Sequence, residues 1–78
     1  MLEFTVRDSI CGAFAVPLDM ITDDCLLSEL YTDLAALEHL RFALQDLFHV
    51  PIDSYALRAP ATTVGDLVRL LRRLTGLA

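Results

Sequence analysis

The sequence predicts a small all-α domain, a bundle of three main helices plus one short helix around a single aliphatic core. Three observations predict it. Apolar residues recur at steps of three and four in separate stretches, the signature of amphipathic helices. Prolines at positions 17, 51 and 60 and a glycine at 76 punctuate those stretches where helices should stop. No segment alternates with a period of two, and no internal repeat is visible. A chain of 78 residues fits one domain, taken as 1–78. A hydrophobic share of 55% argues for a packed fold and against disorder. Domains this small bury only about 60% of their unfolded surface, so stability is expected to be marginal.

The first helix is expected over about 4–15. Thr5-Val6-Arg7-Asp8 has the form of a capping box, with Thr5 as cap and Asp8 reaching back. Val6, Ile10, Cys11 and Phe14 follow at helical spacing, and Pro17 ends the run because the residue before proline is biased away from helix. Residues 16–31 form a long connection too apolar to float freely. Leu18, Ile21, Leu26, Leu27 and Leu30 should pin it to the core while Asp19, Asp23 and Asp24 face water, with a helical turn near Leu26–Leu30. The second main helix covers about 33–48 with Leu34, Leu37, Leu40, Leu44, Leu47 and Phe48 on one side. Thr32 stands in position to cap it. Val50-Pro51 stops it. Residues 52–57 suit a single helical turn, and Ala59-Pro60-Ala61 is a further break. Thr63-Val64-Gly65-Asp66 is another capping box and opens the last helix, 63–75. Val64, Leu67, Val68, Leu71 and Leu74 make its stripe, and Gly76 stops it in the left-handed conformation. Leu37, Leu40 and Leu44 should pack on Val64, Val68 and Leu71, with Ile10 and Phe14 closing the third side.

Charge narrows the partners. The net charge is -5. Residues 1–53 hold ten acids against two arginines, a local charge of -8. Residues 54–78 hold Asp66 against Arg58, Arg69, Arg72 and Arg73, a local charge of +3. An acidic body repels phosphate backbones, so nucleic acid is not an expected partner and a basic protein surface is. Arg72-Arg73 reads as a pair of cations complementing a helix C-terminus. No apolar run reaches the length of a membrane span, and residues 1–20 do not make a secretory signal, so no membrane partner and a cytoplasmic location are expected.

Catalytic chemistry finds little support. Cys11 and Cys25 have thirteen residues between them, neither CxxC nor a zinc spacing, and read as reduced thiols beside the core. His39 has Ala43 rather than a ligand at i+4, and His49 suits the end of a helix dipole. No motif frames a Ser-His-Asp or Cys-His set, so no catalytic or metal-binding residue is assigned and enzyme activity is not expected.

The order of parts resembles an acyl carrier protein. The stretches that carry the resemblance are the acidic, leucine-containing loop Asp23-Asp24-Cys25-Leu26-Leu27-Ser28-Glu29-Leu30, the helix end Ala43-Leu44-Gln45-Asp46-Leu47-Phe48 followed by Val50-Pro51-Ile52, and Thr63-Val64-Gly65-Asp66. The likeness covers about residues 4–75. It implies a carrier-like helical bundle in the fatty-acid or polyketide lineage, whose second helix meets basic partner surfaces.

One departure bears on function. In that family a serine after an aspartate at the helix start carries phosphopantetheine. Counting back from Phe48 without gaps, Asp33 falls on the aspartate and Leu34 on the serine. Leucine has no oxygen to form the phosphodiester, so no phosphopantetheine is expected on this chain. The expected function is a non-catalytic protein-interaction module, with Asp33, Leu34, Glu38 and Arg41 as the partner-binding set. The alternative is a working acyl carrier that uses an atypical or altered site, for which Thr32, Ser28, Ser54 and Tyr55 are the nearby hydroxyls. Leu34 itself admits two placements: exposed at the helix start as a docking knob, or folded inward with Leu37, Leu40 and Leu44.

Overall fold

A computed structural model describes residues 2–31 and 33–76. In chain order the elements are α1 (Leu2–Phe14), a 3-10 turn (Leu18–Met20), α2 (Leu27–Leu30), α3 (Leu34–Phe48), α4 (Ser54–Arg58) and α5 (Val64–Thr75). The protein is a small all-α bundle: α1, α3 and α5 are the main helices, α4 is the short fourth, and α2 is a single turn within the long connection. No strand occurs among the described residues, only an isolated antiparallel bridge between Leu26 and Thr63.

α1 begins earlier than its sequence pattern suggests. Thr5 lies inside the helix, where its carbonyl accepts from Ser9 Oγ at 2.9 Å, so Thr5-Asp8 caps nothing. The two added residues include Leu2, which is half-buried against the core. The helix ends at Phe14, and Ala15 follows with φ +56°, a left-handed residue that turns the chain toward Pro17. α3 ends the same way on His49, φ +55°, whose N–H donates to the Gln45 carbonyl at 2.8 Å. α5 closes on Gly76, φ +76°, where glycine carries no steric penalty.

The core is one cluster drawn from every helix. Val6, Ile10, Leu27, Leu37, Leu40, Leu44, Val64 and Leu71 are fully buried, and Phe14 and Val68 nearly so. The eight residues expected to meet in the core therefore all do. Their arrangement differs from expectation in one respect. α1 lies against both α3 and α5, and α3 and α5 approach each other less closely than either approaches α1. The first helix is thus the shared wall rather than the lid. Leu18, 40% exposed, does not pin the connection; Ile21, Leu27 and Leu30 do.

The connection is also held by its backbone. Leu27 N–H donates to the Thr62 carbonyl at 2.9 Å, Val64 N–H to Cys25 at 2.9 Å and Gly65 N–H to Asp23 at 3.0 Å. Gly65 keeps the last of these close: a Cβ there would sit 3.2 Å from the Asp23 carbonyl oxygen, a tight contact that the carbonyl would have to yield to. The Arg7 guanidinium pairs with the Asp23 carboxylate and fixes the same corner from α1. The acidic loop is thereby stapled to the start of α5, and its far end delivers the chain to the start of α3.

Candidate functional site: the outer face of α3

α3 starts on Asp33, which has extended backbone and whose carboxylate accepts from Ala36 N–H at 2.8 Å. Asp33 is therefore the N-cap; Thr32, expected in that role, lies outside the described residues. An aspartate at this place satisfies one orphan amide and puts negative charge beside the positive end of the helix dipole. Leu34, the next residue, is 54% exposed. It does not fold inward, because the first residue of the helix precedes the turn on which Leu37 reaches the core. Leu47, near the other end of the predicted stripe, is exposed too, although Phe48 beside it packs against the core.

Glu38 and Arg41 are engaged with each other. Arg41 Nη2 donates to Glu38 Oε1 at 2.6 Å and Nε to Oε2 at 3.0 Å, a two-pronged ion pair. The Arg41 guanidinium bonded to it holds the Glu38 carboxyl below the usual carboxylate range, with smaller help from the Ser54 hydroxyl and the charge of Arg58. Arg41 Nη1 reaches further, to Gln45 Oε1 at 3.3 Å and to the Ile52 carbonyl at 3.2 Å. Gln45 Oε1 in turn accepts from Ile52 N–H at 2.8 Å. Arg41 is thus the clamp that fixes the chain leaving α3 onto the helix, and its side chain is only 18% exposed. Asp33, bonded only as the cap among the described residues, and Leu34 are exposed at the helix start, whereas Glu38 and Arg41 form a neutral, hydrogen-bonded pair one to two turns on.

Phe42 is a feature of this face outside the expected partner-binding set. It is 57% exposed and lies on the side of α3 away from Leu37, Leu40 and Leu44. The Arg41 guanidinium carbon sits 4.6 Å from its ring centroid, a cation–π contact that orders the ring. His39 and Asp46 stand on either side of it at i−3 and i+4. The signal was available: a phenylalanine on the polar side of an amphipathic helix.

Of the other hydroxyls near the site, Ser28 is exposed on α2, Ser54 is half-buried at the start of α4 and Tyr55 is exposed beside it. Among the described residues no group of three or more His, Cys, Asp or Glu is placed to hold a metal ion, and no helix is long and apolar enough to cross a membrane. Comparison with family models, curated proteins and solved structures gives no match, so the functional reading rests on these residues and their geometry.

Proposed function

We propose that this chain is a carrier-protein-like interaction module that lacks the attachment hydroxyl, does no chemistry of its own, and docks a basic protein surface at the start of α3. The observation that carries the reading is Leu34. An apolar side chain, 54% exposed, occupies the first helical position directly after the capping Asp33, where the sequence resemblance puts a serine. Covering such a side chain fully in an interface contributes about 1.5–3 kcal/mol. Asp33, exposed beside it, adds negative charge that steers a basic partner at long range and makes association salt-dependent. Phosphopantetheine has no place in this reading, because Leu34 offers no nucleophilic oxygen.

Two experiments test it. Incubation with coenzyme A and a broad-specificity phosphopantetheinyl transferase should leave the mass unchanged; an added phosphopantetheine mapped to any residue establishes the carrier alternative instead. Leu34→Asp should keep the melting temperature of the parent, since the side chain is outside the core, and should abolish binding to a basic partner recovered with the wild-type chain. Binding undiminished by Leu34→Asp removes the docking role.

A further inference from the structure

A second pair of surfaces on this chain has matching chemistry. One is Phe42. Its ring is pre-ordered by Arg41, which Glu38, Gln45 and the Ile52 carbonyl hold in place, so little freedom is lost when the ring is covered. Asp46 stands one turn beyond, exposed and with no ion-pair partner among the described residues. The other surface is a cleft of about 300 Å³ between α4 and α5, floored by Leu57, Leu67 and Leu70 with Ala56 and Ala61 at its sides. A cavity of about 150 Å³ already accepts a benzene ring. Arg73 borders this cleft, exposed and likewise in no ion pair among the described residues. The cleft's acid, Asp66, is already taken up by Thr63 N–H and Arg69.

We propose that these surfaces bind each other between copies: Phe42 of one chain enters the α4–α5 cleft of a second, and Asp46 pairs with its Arg73. The charge division of the chain favours this orientation, with acid on the α3 side and the unpaired arginine on α5. Knob and cleft lie on different parts of the surface, so the contact is head-to-tail and each joined pair keeps one knob and one cleft open for the next copies. Leu34 is outside the contact, which makes this inference independent of the docking proposed for it.

Sedimentation velocity on the full chain at rising concentration tests the proposal. Species larger than the monomer should appear in low salt and recede in about 1 M salt, where charges are screened within about 3 Å. Phe42→Ser, which retains the cleft, and Arg73→Glu, which retains the knob, should each be monomeric with unchanged melting temperatures. Mixed together they should form a 1:1 dimer and nothing larger, because only one productive contact remains. The charge-swapped double variant Asp46→Arg with Arg73→Asp should assemble again. A wild-type chain that stays monomeric at every concentration overturns the proposal. So does a mixture of the two single variants that fails to pair, or assembly that survives Phe42→Ser. None of these results bears on Leu34, which is judged by Leu34→Asp against the basic partner.

Discussion

Ala15 and His49 show what single residues contribute to the helix ends. Both hold positive φ with a Cβ attached, at +56° and +55°, where glycine would be unstrained. Ala15→Gly and His49→Gly should therefore each raise stability, by up to about 1 kcal/mol, offset in part by the greater freedom of glycine in the unfolded chain. Thermal unfolding checks this, and a fall in melting temperature for both would show that the left-handed turns are not strained. Residue identity also decided what could be foreseen at the candidate site. Leu34 could be placed at the head of α3 by counting from Phe48. Whether it pointed in or out could not, because periodicity marks a stripe without saying where along the helix the core ends. The role of Arg41 was beyond sequence reading altogether. Gln45 meets it at i+4 on the same helix, but the Ile52 carbonyl does so only after the chain turns at His49.

Among the elements, the start of α5 is legible in the sequence and the start of α1 is not. The difference lies in what each end uses. At α5, Thr63 Oγ1 accepts from Asp66 N–H and the Asp66 carboxylate accepts from Thr63 N–H, both at 3.1 Å, so the pattern of residues is also the physical cap. At α1 a similar pattern, Thr5 to Asp8, falls inside the helix, which already includes Leu2 packed against the core, a tertiary contact that local spacing does not contain. Thr63→Ala should cost about 1 kcal/mol, read from chemical denaturation. The Thr63 N–H bond first, and then Arg69, hold the Asp66 carboxyl below its ordinary value. A carboxyl lowered in the folded state adds stability above its unfolded pKa, and that stability is lost as pH falls through the folded value. Acidification through the carboxylate range should thus destabilise the wild type more than Asp66→Asn, and equal acid sensitivity would separate the cap from the titration. Gly65→Ala sets helix propensity against fit. The gain of up to about 1 kcal/mol from alanine is opposed by a Cβ 3.2 Å from the Asp23 carbonyl. That carbonyl cannot retreat easily, since Gly65 N–H and the Arg7–Asp23 pair hold its residue, so the melting temperature should drop.

For the whole molecule, stability rests on one core shared by all the helices. Leu40→Ala removes a fully buried core side chain of α3 and should cost about 2–5 kcal/mol, a large part of the roughly 5–15 kcal/mol available to a typical domain. A variant that melts like the parent would refute the packing. The membership of this core was legible in the chain because each helix carries its own stripe. The position of α1 between α3 and α5 was not, since a stripe specifies a buried side and not the neighbour that covers it. The staple between the acidic loop and α5 has a consequence for how the molecule opens. The first amides of a helix ordinarily lack partners and exchange with solvent hydrogen quickly. In α5 the Val64 and Gly65 amides are bonded to Cys25 and Asp23, some forty residues earlier in the chain, and the Asp66 amide is bonded to its cap. Their exchange should therefore be slow, and Val64 and Gly65 should be released only when the segment joining Asp23 to Cys25 lifts away. Slow exchange at these two positions would report a closed ring of chain running from the loop through α3 and α4 to α5, one cooperative unit that opens as a whole or not at all.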